Sequence, residues 1–170
     1  YTPSGSREVL VNGNAERKSA ILTEGGSYDE WKATIDRLYN HPEMQPLQFL
    51  VLIAFAAPLF AMLQEFGGVT VFAYSQQPGV GKTTAECAGL SAWGRHDGMK
   101  LANNKATTNA LWSLVGTYHS LPVVYDEMTT LDDGKLIAEM IFSISDGSQK
   151  ERCDSSGNIR NNNSNWRTIV

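Results

Sequence analysis

A glycine-rich segment, SQQPGVGKTT, runs from Ser75 to Thr84 between two segments of different periodicity. The short apolar run VTVFAY at 69–74 predicts a buried strand before it, and the residues from Lys82 to Trp93 predict a helix after it. A tight turn between such elements directs successive backbone N–H groups toward one point, at the positive N-terminus of the helix. The order of strand, glycine-rich turn and helix therefore predicts a phosphate-binding loop.

The residues of this loop have separate predicted roles in holding a nucleoside triphosphate. Pro78, Gly79 and Gly81 let the backbone turn tightly around phosphate oxygens. Lys82 is expected to bridge the β- and γ-phosphates, Thr83 to supply a hydroxyl to Mg²⁺, and Thr84 to bond near the α-phosphate. The candidate nucleotide-binding residues are Gln77, Pro78, Gly79, Val80, Gly81, Lys82, Thr83 and Thr84.

One departure from the usual loop pattern keeps a second interpretation open. The first glycine of GxxxxGK[ST] falls at Gln76. A glycine turn that only joins a strand to a helix, with Lys82 facing solvent, has a similar local sequence.

A second apolar strand, within LPVVYDE at 121–127, ends in two adjacent carboxylates. Asp126 would hold the Mg²⁺ shell, and Glu127 would orient and deprotonate an attacking water. Together with Lys82 they are the candidate catalytic residues, and Thr83 and Asp126 are the candidate metal ligands. A strand followed by an acidic helix cap is the alternative. The two motifs together predict ATP as ligand and Mg²⁺ as cofactor, and the acidic pair favours hydrolysis over binding alone.

A basic cluster lies in the polar segment 147–167 of this otherwise acidic chain, whose formal net charge is -4. Lys150, Arg152 and Arg160 are the candidate contacts to a nucleic-acid backbone. A solvated polar hairpin is the alternative. The overall acidity argues against a protein that coats DNA or an anionic membrane without sequence preference, so any contact with nucleic acid has to be local.

The pattern of elements predicts an α/β fold with a central parallel sheet flanked by helices and preceded by a small helical segment. We expect a linker or short hairpin at 1–27, an N-terminal helical segment packed on the core at 28–66, and the ATPase core at 67–170. The two cysteines form no CxxC pair, which fits a reducing compartment and a cytoplasmic protein. We expect the sequence to be a piece of a longer protein.

Local signals predict the individual elements. Ser27 as N-cap, with Glu30 three residues later, predicts a helix from Tyr28 to Asn40. The apolar run that follows predicts a second helix at 47–66, kinked at Pro58, which we expect to be a covered core helix and not a membrane span. Further predicted elements are a strand at 99–102, a helix at 108–116, a strand at 123–126, a helix at 134–145, a hairpin around 155–158 and a strand that begins near Arg167. Three tryptophans are expected in the core, namely Trp93, Trp112 and Trp166.

Several segments carry a family resemblance, among them VTVFAYSQQPGVGKTT, LSAWG, KATTNAL, VVYDE, ISDGSQKERCDSSGNIR and WRTIV. With these segments the chain resembles, over 26–170, the ATPase family catalogued as domain of unknown function 927. That family occurs in phage and mobile-element proteins, often as the helicase half of primase-helicases. It is similar to the ring-forming superfamily three and AAA+ ATPases.

The resemblance implies an AAA+-like P-loop NTPase core that assembles as a ring, with a hexamer as the expected form. It implies that a hairpin at 150–163 lines the pore and holds single-stranded DNA, with Arg160 as the leading contact. The strand at Trp166 would be the sensor strand, truncated here before its polar residue, and Arg152 is a candidate arginine finger. A fused or associated primase and a bacterial host cytoplasm are also implied.

The leading hypothesis is therefore the ATP-hydrolysing motor of a DNA helicase or primase-helicase. A P-loop nucleotide or metabolite kinase is the first alternative, although Glu127 and the lack of an arginine-rich lid argue against it. A switch module that uses ATP to control assembly, without acting as a motor, is the second.

Overall fold

The computed structural model describes residues 20–63, 67–102, 107–126, 134–148 and 165–170. Within these ranges the structure is a mixture of helices and short parallel strands. The α-helices are α1 (Tyr28–Tyr39), α2 (Gln45–Ala56), α3 (Lys82–Leu90), α4 (His96–Met99), α5 (Thr108–Tyr118) and α6 (Gly134–Asp146). The strands are β1 (Gly68–Val69), β2 (Lys100–Ala102), β3 (Val124–Asp126) and β4 (Thr168–Ile169).

Helix α1 begins where the capping pattern predicts it. The Ser27 hydroxyl accepts a hydrogen bond from the backbone N–H of Glu30 at 3.4 Å. This bond satisfies one of the N–H groups that an α-helix leaves free in its first turn. The predicted start is confirmed, and the helix ends one residue earlier than predicted, at Tyr39.

Helix α2 does not continue to residue 66 as predicted, because at Ala57 it tightens into a 3₁₀ helix, Ala57–Met62. Pro58 has no N–H to donate to the carbonyl of Ala54, so an α-helical turn leaves that oxygen without its usual partner. The indole N–H of Trp93 donates to this oxygen at 2.8 Å. The proline thus ends the α-helix and leaves the carbonyl of Ala54 free to accept from Trp93. This hydrogen bond joins the end of α2 to the segment after α3.

The expectation that this apolar helix is covered is wrong for the described part of the protein. Leu52, Leu59 and Met62 are 62%, 58% and 77% exposed, whereas Val51 and Ala54 are buried. The segment Pro42–Met62 has a mean hydropathy of 1.7. By length and composition alone, it is long and apolar enough to cross a membrane. Only one face of α2 packs inward, toward α3, so the apolar residues of the opposite face remain exposed in the described part of the protein.

The strands form two parallel ladders. β2 pairs with β3, and β1 pairs with β4. The backbone N–H of Val123 donates to the carbonyl of Ile169 at 3.3 Å, which places β4 beside the start of β3. The order across the ladders is therefore β2, β3, β4, β1, with the last strand of the chain between the first and the third.

Strand β1 is shorter than the predicted run 69–74. Regular pairing covers Gly68–Val69, and one more ladder bond joins the N–H of Val71 to the carbonyl of Val170 at 2.8 Å. Phe72 and Tyr74 are 52% and 77% exposed. The second half of the run makes no further strand pairing in the described residues and leads into the glycine-rich loop. The prediction that the whole run is a buried strand is therefore wrong.

The main core is built around helices α5 and α6 and includes Val123, next to the start of β3. Trp112 and Trp166 are 6% and 1% exposed, and their rings stack at a centroid distance of 5.6 Å. Trp93 is partly buried against the same cluster, so all three tryptophans contribute to the core as predicted. The other fully buried large side chains of this cluster are Leu90, Met99, Leu111, Val115, Val123 and Ile144.

Close packing between α2 and α3 yields a stability prediction at Gly89. A Cβ atom at this position would lie 2.8 Å from the Cβ of Ala54, so any side chain forces the two helices apart. We expect Gly89→Val to lower the free energy of unfolding by about 2 kcal/mol. Circular dichroism melts check this against Gly134→Val, because a Cβ at Gly134 meets nothing within 4 Å. Equal melting temperatures for the two variants would contradict the packing described here.

Candidate functional site

The glycine-rich loop connects the end of the β1 segment to α3. The Ser75 hydroxyl accepts from the N–H of Gln77 at 3.2 Å and opens the turn. Gly79 and Gly81 then have φ values of 75° and 90°, in the left-handed region that side-chain-bearing residues rarely adopt. The N–H of Ala85 donates to the carbonyl of Gly81 at 2.9 Å, so α3 begins at Lys82 as the sequence predicts.

A cavity of about 740 Å³ opens beside this loop. Its wall includes Gly79, Lys82 and Thr83 from the loop and α3, and Asp126 from the end of β3. It lies at the carboxyl ends of the parallel strands, where open α/β sheets usually bind their ligands. The volume falls within the range of small-molecule sites.

Asp126 forms an ion pair that the sequence does not predict. Its Oδ2 atom lies 2.5 Å from the Nζ of Lys100 at the start of β2. The two side chains are 27% and 16% exposed, so the pair is screened less than a surface pair. The parallel register of β2 and β3 brings the two residues together, with Ala102 opposite Asp126 and Lys100 opposite Val124.

Glu86 adds a second carboxyl group to the same cavity. Burial is the main reason that its pKa is raised above 4.5, and the negative charge of Asp126 raises the pKa further. Lys100 and Lys82 lower the pKa, in that order of effect. The Oε2 atom is buried and has no hydrogen-bond partner among the residues that the structure describes. The cavity wall therefore carries Lys82 and two carboxyl groups, and Lys100 lies beside it, paired with Asp126.

The oxygen donors at this site suit a magnesium ion that is carried in with phosphates. Thr83 is exposed and lines the cavity together with Asp126. Within the described ranges no three His, Cys, Asp or Glu side chains come together as a metal cage. Mg²⁺ commonly takes one or two protein oxygens, with water and substrate phosphates completing its shell. The residues present fit that mode of binding.

The structure brings together part of the predicted site. Lys82, Thr83 and Asp126 share the cavity wall with Pro78 and Gly79. The other loop residues, Gln77, Val80, Gly81 and Thr84, are adjacent in the chain but do not line the cavity. The predicted residues Glu127, Lys150, Arg152 and Arg160 lie outside the described residues.

Sequence reasoning missed Lys100 and Glu86. Glu86 stands four residues after Lys82 in α3, a spacing that places two residues on one helix face, and this signal was available. Lys100 had no such signal, because its partner lies on a strand distant in sequence.

The described part of the chain thus combines helices with short parallel strands, and a glycine-rich loop leads into a helix beside a strand that ends in Asp126. The chain belongs to the family described as a domain of unknown function (DUF927), whose model matches residues 1–164. No curated protein and no solved structure matches the chain.

The raised pKa of Glu86 predicts how stability depends on pH. The folded protein holds this proton more tightly than the unfolded chain, so ionisation of Glu86 lowers the free energy of unfolding as pH rises above 4.5. We expect Glu86→Gln to melt at a higher temperature than wild type at about pH 7.5, and the difference to vanish at about pH 3.5. Thermal melts across this range check it.

Glu24→Gln is the matched control, because Glu24 is exposed and does not line the cavity. A Glu86→Gln variant that melts below wild type at neutral pH, with Glu24→Gln unchanged, would contradict the unfavourable ionisation of Glu86.

Proposed function

We propose that this protein is an ATP-hydrolysing P-loop NTPase with Mg²⁺ as cofactor. The observation that carries the proposal is the shared cavity. Lys82 and Thr83, at the start of a helix that follows a glycine-rich turn, face the same space as Asp126 at the end of a strand. This arrangement combines a site for phosphates with an acidic residue for their metal ion.

The strand order further supports an AAA+-like core. β4 lies between the strand that leads into the loop and the strand that ends in Asp126. The family resemblance implies that the strand at Trp166 is the sensor strand. Such a strand would act on a nucleotide bound between the glycine-rich loop and Asp126. Trp166, two residues before β4, is buried in the core, and this packing fixes the start of the strand.

The chain's own residues would divide the work of hydrolysis. The loop N–H groups and Lys82 bind and orient the phosphates, and Asp126 orients the metal shell. Mg²⁺ bound with ATP would neutralise charge that develops on the phosphates. Glu127, the residue after β3, is the proposed base that takes a proton from the attacking water.

We further propose that hydrolysis drives a helicase or primase-helicase motor in phage or mobile-element replication. This part rests on the family resemblance and on the basic residues Lys150, Arg152 and Arg160. The proposed partners are single-stranded DNA, further copies of the chain in a ring, and a fused or associated primase. The proposed location is the cytoplasm of the bacterial host.

Lys82→Ala tests the phosphate site. Loss of the ammonium removes charge-assisted hydrogen bonds to phosphate, so we expect ATP affinity to fall at least about tenfold. Calorimetric titration with Mg²⁺ and ATP measures the change. Lys32→Ala is the control, because Lys32 is exposed on α1 and outside the cavity. Undiminished affinity in Lys82→Ala would remove the phosphate-binding interpretation of the loop.

Glu127→Gln tests the motor hypothesis. We expect wild-type ATP hydrolysis to rise when single-stranded DNA is added, and Glu127→Gln to bind ATP but release phosphate at least about a hundredfold more slowly. A Lys150→Ala/Arg160→Ala variant should lose the response to DNA, because it lacks two contacts to the phosphate backbone. The measurement is phosphate release with and without DNA.

The outcomes separate the remaining functions. Hydrolysis that ignores DNA would favour a switch module, and transfer of phosphate to a small acceptor without free phosphate would favour a kinase. A Glu127→Gln variant that hydrolyses at the wild-type rate would leave this residue as a helix cap only.

A further inference from the structure

Lys82, Glu86 and Asp126 line the cavity, and a fourth charged side chain, Lys100, touches this group through an ion pair with Asp126. Lys100 pairs with Asp126, the acid proposed to hold the metal shell, at 2.5 Å. Lys82 and Glu86 line the same cavity from α3. In the protein alone, an ammonium group therefore covers a carboxylate oxygen that the magnesium site needs.

The pair between Lys100 and Asp126 is incompatible with a metal ion at the same oxygen. A divalent cation and an ammonium repel each other strongly at short distance in a partly buried site, where solvent screens charges weakly. Lys100 has a four-carbon side chain that can swing while its backbone stays in the β2 ladder. A second carboxyl group within reach would let it move without losing an ion pair.

Glu86 has the properties of that second carboxyl group. Its Oε2 atom is buried without a hydrogen-bond partner among the described residues, which is a costly arrangement for a carboxyl oxygen. Lys100 already acts on it electrostatically, since the lysine lowers the pKa of Glu86 while Asp126 raises it. An ammonium that left Asp126 for Glu86 would satisfy the free oxygen and separate the two carboxylates from each other.

We propose that Lys100 is a positioning residue that exchanges Asp126 for Glu86 when magnesium and nucleotide bind. The inference rests on the proposed nucleotide site. It adds that Lys100 and Glu86 determine how much Mg²⁺ is needed for nucleotide binding. Lys100 holds Asp126 in place before binding and competes with the metal for it. Glu86 lowers the cost of displacing Lys100.

The proposal predicts opposite effects for two variants. Lys100→Met removes the competitor, so half-saturation with Mg²⁺ should occur at a concentration about fivefold lower than in wild type. Glu86→Gln removes the alternative partner of Lys100, so half-saturation should require about fivefold more Mg²⁺. The measurement is the binding of a fluorescent, non-hydrolysable ATP analogue titrated with Mg²⁺.

The double variant separates this exchange from direct metal binding by Glu86. With no lysine to move, Glu86→Gln should have no further effect in the Lys100→Met background, so the double variant should resemble Lys100→Met. If Glu86 bound the metal itself, the change to Gln would weaken Mg²⁺ binding in both backgrounds, and the exchange would be overturned. An unchanged or higher Mg²⁺ requirement in Lys100→Met would overturn it as well.

Controls distinguish this inference from the proposed function. Lys32→Met changes an exposed lysine outside the cavity and should keep the wild-type Mg²⁺ midpoint. Circular dichroism of every variant verifies folding. A wild-type protein that binds no ATP analogue at any Mg²⁺ concentration would overturn the nucleotide site and the exchange together. Wild-type binding with coincident Mg²⁺ midpoints in all variants would overturn the exchange alone.

Discussion

Backbone hydrogen bonds made by the last three residues hold the cavity wall together. Thr168 and Ile169 pair with β1, and the carbonyl of Val170 accepts from the N–H of Val71 at 2.8 Å. On the other side, the carbonyl of Ile169 accepts from Val123 just before β3. β4 therefore lies between β1, which leads to the glycine-rich loop, and β3, which ends in Asp126, and it holds both beside the same cavity. Their relative position depends on a segment about forty residues beyond β3.

Charged side chains of both signs lie at and beside the cavity. Lys82, Glu86 and Asp126 line it, and Lys100 pairs with Asp126 beside it, so two lysines and two carboxyl groups lie close together. The Oε2 atom of Glu86 has no hydrogen-bond partner among the described residues. Such an arrangement costs stability, as is common where a site serves binding more than folding. In the proposed function, an entering triphosphate with its metal ion would repartition these charges, and the proposed exchange of Lys100 between Asp126 and Glu86 would be part of that change.

The helix α2 illustrates how far composition can mislead. Its sequence is apolar on nearly every side, which suggested complete burial. The structure gives it one packed face, and there Gly89 of α3 allows contact with Ala54. Burial depends on how many neighbours surround a helix, and the composition of the helix carries no information about that number.

The sequence by itself determined the features that arise within a few residues. The cap at Ser27, the left-handed turn at Gly79 and Gly81, and the start of α3 at Lys82 follow from local backbone sterics and hydrogen bonding. Only the tertiary structure decided that Lys100 meets Asp126, because the register of two strands sets that contact and no periodic pattern encodes it. The insertion of β4 between β1 and β3 has the same origin. Pairing between distant strands is specified by the packing of the whole core, whereas a turn or a cap is specified by its own residues.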